Sequence, residues 1–150
     1  MDNTILRPYE FLPILEEHFN NGLAVNLTVT GNSMVPFLCN KRDSVCLTQI
    51  QNEPKAGDIY LYKRVSGQLV LHRVKKVTSE GIWFIGDSQR NVEGPVPKSA
   101  LAAECHTVIR KGKILSEKSA LWRFFKYVWL NIIPFRHFIC KIIAVFKKVK

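Results

Sequence analysis

At 150 residues, with 47% hydrophobic and 23% charged residues, the chain has material for one folded core, is short for two ordinary domains and is too apolar for wholesale disorder. Its net charge is +10, and the basic residues from Leu121 to Lys150 have no acidic neighbour in that stretch, so the basicity belongs to a C-terminal tail. The four cysteines, Cys39, Cys46, Cys105 and Cys140, make no CxxC and no zinc-like quartet, which excludes a disulfide framework and reads as free thiols in a reducing compartment. The adjacent Cys105 and His106 lack a second ligand cluster, so neither a metal nor a cofactor is expected.

Asp2, Arg7, Pro8, Glu10 and Pro13 interrupt the first apolar residues, which therefore form neither a secretory signal nor a membrane anchor; a cytoplasmic or peripherally membrane-associated location is expected. From Tyr9 to Phe19, Phe11, Leu12, Ile14, Leu15 and Phe19 recur at helical spacing, with Asn20-Asn21-Gly22 as the stop. Leu23 to Thr30 places Leu23, Val25, Leu27 and Val29 on one face at period two, a strand running into Gly31. A short strand is expected within Asp43–Gln49, and a hairpin over 58–77 turning at Ser66-Gly67. Ile82–Ile85 is a further strand, 92–97 with its two prolines a loop, and Glu104–Arg110 a last strand.

Beyond Glu117 the composition changes to aromatic, aliphatic and basic residues. Leu121, Phe124, Phe125, Val128, Trp129 and Ile132 mark one helical face, and Phe135, Phe138, Ile139, Ile142, Ile143 and Phe146 another, with Pro134 between them. The uncharged stretch Tyr127–Phe135 falls well short of the roughly 20 apolar residues a spanning helix needs, so lying on a membrane surface is favoured over crossing it. The expected class is mainly β with flanking helices: a body over 1–117 and a basic amphipathic tail over 118–150. Trp122, Phe125, Trp129, Phe138 and Lys141 are the candidate membrane contacts. Aromatic residues beside the cations favour lipid over nucleic acid, and packing of the first tail helix on the body is the alternative.

The chemistry-bearing segment is Gly31-Asn32-Ser33-Met34-Val35-Pro36. A serine hydroxyl is a poor nucleophile at neutral pH and needs a sharp turn, nearby backbone amides and a base within reach. By itself Gly-Asn-Ser is also a common turn. The series is longer, however: Gly57-Asp58-Ile59-x-Leu61-Tyr62, then Leu71-His72-Arg73-Val74, then Phe84-Ile85-Gly86-Asp87 follow in order. This succession, over about residues 27–97, resembles the type I signal peptidases, and within them the archaeal and endoplasmic-reticulum branch in which histidine replaces a lysine base. The resemblance implies the β-fold shared by signal peptidases and self-cleaving SOS-type repressors, here as an anchorless bacterial relative.

Carried over by position, the resemblance makes Ser33 the nucleophile and His72 the general base. Partial burial of His72 between Val70 and Val74 would keep its imidazole neutral, while Arg73 and Lys75 take the opposite face. The family's orienting acid aligns best with Glu93, whereas Asp87 matches its Gly-Asp box; both stay candidates. Gly31 stands where many relatives carry an oxyanion-binding hydroxyl, so the oxyanion falls to the Ser33 amide, assisted by Asn32 or Thr30. A substrate would pair as an added strand beside Val25, Leu27 and Val29, with Met34 at the site, and the family's preference for small side chains on the acyl side of the cut is implied. The expected partner is a precursor protein or peptide, in general secretion or in a pathway dedicated to small modified peptides. A self-cleaving repressor is disfavoured because those relatives use lysine and need room for a DNA-binding helix pair. A catalytically inactive membrane-binding module is the non-enzymatic alternative.

Overall fold

The computed structural model describes residues 8–148; Asp2, Arg7 and Lys150, and with them the first part of the N-terminal reading, lie outside the described residues. Helix α1 (Pro8–Asn20) leads into β1 (Val25–Thr28), β2 (Ser44–Thr48), β3 (Ile59–Lys63), β4 (Leu69–Thr78), β5 (Gly81–Ile85), β6 (Glu93–Val96), β7 (Leu101–Arg110) and β8 (Lys113–Ser116). Helices α2 (Ala120–Tyr127) and α3 (Ile133–Lys148) close the described chain. The strands form one antiparallel sheet in the order β1-β2-β7-β3-β4-β5-β6, with β8 paired to β7. Mainly β with flanking helices is therefore the observed class.

Both faces of the sheet centre are covered, and strand alternation divides the side chains between them. Ile59 and Leu61 of β3 join Val45, Leu47, Ala103 and Cys105 in one core, which Leu15 and Phe19 of α1 and Met34, Phe37 and Leu38 of the loop after β1 complete. Tyr60 and Tyr62, the residues between, join Val74, Ile82, Phe84 and Val96 in a second core on the other face. Double burial explains why Ile-Tyr-Leu-Tyr reads as an unbroken apolar run.

The structure corrects two strand expectations. Residues 93–96, read as a loop, form β6: an edge strand leaves one side unpaired, and there a missing proline N–H costs nothing. β8 was missed because its hairpin turns on Lys111 (φ 50°) and Gly112 (φ 75°), a pair that supplies two left-handed residues without the Asn-Gly signal.

The tail also departs from the helical face expected for it. Ser119 caps α2, its side chain accepting from the Trp122 amide. Trp122, Phe125 and Trp129 are buried, with Trp122 edge-on to Phe37 at 5.3 Å and Phe125 4.9 Å from the same ring. These three membrane candidates belong to the core, and Phe124 and Val128 point outward instead. The reason is that Phe37 and the end of the sheet would otherwise be open to water. Pro134 sits in the first turn of α3, where its missing N–H is tolerated. Among the described residues no helix is long and apolar enough to cross a membrane.

If α2 is part of the core, Trp122→Ala should cost about 3–5 kcal/mol in denaturant unfolding, whereas Phe124→Ala, 43% exposed, should cost less than about 1 kcal/mol.

Candidate active site

Ser33 lies in the turn between β1 and β2, anchored by main-chain bonds and by a buried carboxylate. Val29 N–H donates to Asp43 O at 2.9 Å and Lys41 N–H to Val29 O at 2.7 Å, closing the loop at its base. Asp43, fully buried, accepts from the amides of Cys39 and Lys111 and from Arg42. Burial raises its pKa, but these donors outweigh that and bring it down to about 2. Met34, Phe37 and Leu38 insert into the core below, and Arg110 holds the Phe37 carbonyl at 2.9 Å. The loop has an apolar keel and a polar rim, and Ser33 stays part-exposed at that rim.

The turn after β5 receives Ser33. The Ser88 amide donates to Ser33 O at 2.9 Å, and the Ser88 hydroxyl reaches Asn32 O at 2.9 Å and Ser33 O at 3.1 Å. A Cβ at Gly86 would stand 2.5 Å from Ser33 O, a backbone atom with no easy retreat, so glycine is required for this approach. Arg73 pairs with Ile85; continuing that register by one residue brings Gly86 opposite His72. The serine loop is thus docked against the chain segment that flanks the histidine.

His72 and Arg73, adjacent on β4, face opposite ways and are both buried. Arg73 grips Asp87 through two bonds of 2.9 Å, donates to Gly57 O at 2.9 Å and lies over the Phe37 ring at 5.1 Å. His72 faces the second core, with its Nδ1 3.1 Å from Tyr62 Oη. Burial pushes the His72 pKa down to about 4; the field of Glu93 opposes this and that of Arg64 adds to it. The imidazole is neutral at neutral pH.

The two candidate acids separate. Asp87 is fully buried and committed to Arg73 on the far face of β4, while Glu93, at the start of β6, is the carboxylate whose charge His72 feels. Arg64 holds both Glu93 oxygens at 2.7 Å and keeps the Glu93 pKa below the ordinary carboxylate range. Of the remaining candidates, Asn32 is exposed at the rim, Val25 and Leu27 are half-buried, and Val29 and Met34 are core residues. The last two are unavailable to a ligand because they anchor the loop. Cys105 faces the core and His106 the other side, between Glu104 at 3.1 Å and Glu117 at 2.9 Å.

Sequence reasoning missed Tyr62, Arg64, Ser88, Trp129 and Arg136. Tyr62 was within reach, since a hairpin turning at Ser66-Gly67 pairs Tyr60 with His72 and sets Tyr62 on the same face. Trp129 was read only as a membrane contact, and Arg136 gave no signal. Trp129 Nε1 donates to Asp87 O at 2.7 Å, and the buried Arg136 donates to Gly86 O at 3.0 Å and Gln89 O at 3.1 Å. The C-terminal segment therefore clamps the turn on which Ser33 rests.

Two substitutions separate the acids. Asp87→Asn leaves Arg73 buried without its counter-charge and should cost about 3–5 kcal/mol in denaturant unfolding. Glu93→Gln, at a pair about one-third exposed, should cost no more than about 1 kcal/mol.

The family model for Peptidase S24-like proteins matches residues 3–110, a span that includes the serine loop, the hairpin and the Gly86-Asp87 turn. A comparison with curated proteins finds no match.

Proposed function

The chain belongs to the Peptidase S24-like family, and from that premise we propose that it is a serine endopeptidase that cuts a leader or signal segment from a precursor, with Ser33 as nucleophile and His72 as general base. The observation that carries this reading is the seating of the Ser33 carbonyl on Gly86 and Ser88, beside the strand that bears a neutral, buried His72. In the proposed reaction Ser33 Oγ bonds to the scissile carbonyl carbon as its proton passes to His72. The oxyanion formed takes the Ser33 amide, with Asn32 at the rim. His72 then returns the proton to the leaving amine, and water repeats the sequence on the acyl-enzyme.

β1 ends the strand path, and among the described residues no strand pairs with its outer edge, where an extended peptide would add; main-chain pairing there leads into Ser33 four residues beyond Val29. Self-cleavage, which the family also includes in its repressors, is the second reading, favoured by the family match itself. Cleavage in trans depends on enzyme concentration and self-cleavage does not.

Labelling by a fluorophosphonate probe tests the site. Ser33→Ala and His72→Gln should each lower labelling at least about 10²-fold with circular dichroism unchanged; full labelling in either variant overturns the assignment. Because His72 acts as a base only when neutral, the wild-type rate should hold as pH falls through 6 and decline near 4.

For the membrane surface, support comes from α3. Phe135, Phe138, Ile142, Val145 and Phe146 are exposed within about a 100° arc, with Lys141 and Lys148 beside it, while Arg136 on another face holds the helix to the body. Phe138→Glu with Phe146→Glu should abolish co-sedimentation with vesicles containing anionic phosphatidylglycerol; undiminished binding clears this face.

A further inference from the structure

Each residue has two soft backbone torsions, so fixing the peptide planes on either side of a Cα fixes both of them. For Ser33 those planes carry the Asn32 and Ser33 carbonyls, and a single residue, Ser88, binds both oxygens. Its amide donates to Ser33 O at 2.9 Å, and its hydroxyl lies 2.9 Å from Asn32 O and 3.1 Å from Ser33 O. A hydroxyl has one hydrogen to give. Ser33 O already receives the Ser88 N–H, and Asn32 O is the nearer acceptor, so the hydroxyl proton goes to Asn32 O.

That bond reaches the chemistry through one peptide unit. Asn32 O and the Ser33 N–H are opposite ends of the same amide, and the Ser33 N–H is the group proposed to bind the oxyanion. A donor on the carbonyl oxygen polarises the amide and strengthens its N–H as a donor in turn. Val35 N–H also donates to Asn32 O, at 3.2 Å, so the plane is held from within the loop and from across it. Ser88 is itself firmly placed: the Asp87 carbonyl, at the other end of its own amide, accepts from Trp129 Nε1 at 2.7 Å, and the Gly86 and Gln89 carbonyls on either side accept from Arg136. Gly31 offers no hydroxyl two residues before the serine, so the oxyanion depends on this backbone donor, with Asn32 at the rim.

We propose that Ser88 is a positioning residue for the Ser33 reaction: it sets both peptide planes of the serine, and with them the direction of Oγ and of the N–H that meets the oxyanion. This rests on the Ser33–His72 reading and deepens it. As Ser33 Oγ bonds to the scissile carbonyl carbon, its proton passes to His72 and the carbonyl π pair moves onto oxygen. The Ser33 N–H is by then already oriented and polarised, so the loop has nothing to rearrange. Ser88 gives up no proton in the step; its hydroxyl stays on Asn32 O throughout.

Ser88→Ala deletes only the hydroxyl, and because that side chain is exposed the circular dichroism should not change. Fluorophosphonate labelling of the full chain should reach a maximal rate about 10-fold below wild type, a smaller loss than the roughly 10²-fold that follows removal of a direct oxyanion donor. The half-saturating probe concentration should stay the same. Ser88→Thr keeps the hydroxyl and should restore the rate. In nitrogen-15-labelled protein without probe, the Ser33 amide proton should move upfield in Ser88→Ala, as Asn32 O loses a donor, and return in Ser88→Thr. A maximal rate or a Ser33 amide signal unchanged in Ser88→Ala, or a loss that threonine does not restore, overturns the proposal. The amide signal is read without substrate or probe, so the two readings fail separately: full labelling of Ser33→Ala would sink the peptidase reading with the Ser88 link intact, whereas an unmoved Ser33 amide would sink the link alone.

Discussion

The buried pair of Arg73 and Asp87 is the interaction on which the arrangement of the site depends. Removing two charges from water costs several kcal/mol per ion, and the pair is tolerated because its hydrogen bonds are filled: Arg73 binds both Asp87 oxygens and the Gly57 carbonyl. This ties the middle of β4 to the turn after β5. Asp87 in turn offers its carbonyl to Trp129, and the flanking Gly86 and Gln89 carbonyls go to Arg136. A turn held from the sheet side and from the helix side makes a firm seat for Ser33, whose carbonyl rests on Gly86 and Ser88. Positioning is what a weak nucleophile needs most.

Neighbouring residues of β4 divide the work because strand side chains alternate. Arg73 faces the core shared with the serine loop and is structural; His72 faces the Tyr62 and Phe84 side and is proposed as the base. The acids follow the same division, Asp87 with Arg73 and Glu93 with Arg64. Had both carboxylates faced the histidine, its burial would have been offset and it would have tended to hold a proton. With one Arg-paired glutamate it stays neutral.

The helical segment outside the family match contributes both a lid on the core and a clamp on the site. Trp122 and Phe125 cover Phe37, directly beneath the serine loop, and Lys126 reaches Asp58 at 2.8 Å. α3 then leaves the body with an apolar stripe facing outward. One short segment thus supports the site and carries the surface proposed to meet a membrane.

Much of this was legible without coordinates, for reasons of period and order. Alternation marked β1, short apolar runs marked β2 to β5, the Ser66-Gly67 turn marked the central hairpin, and the family resemblance put forward Ser33, His72 and the Gly86-Asp87 turn as candidates. The strands and the hairpin depend on residues near one another in the chain, where backbone geometry alone sets the pattern. The choice between Asp87 and Glu93, the burial of Trp122 and Trp129, and the grip of Arg136 on the turn depend on contacts 14 to 85 residues apart. Amphipathic spacing says that a helix has an apolar face but not which surface will cover it. A carboxylate's partner is likewise decided by which cation folding brings within 3 Å, and only the assembled sheet and helices determine that.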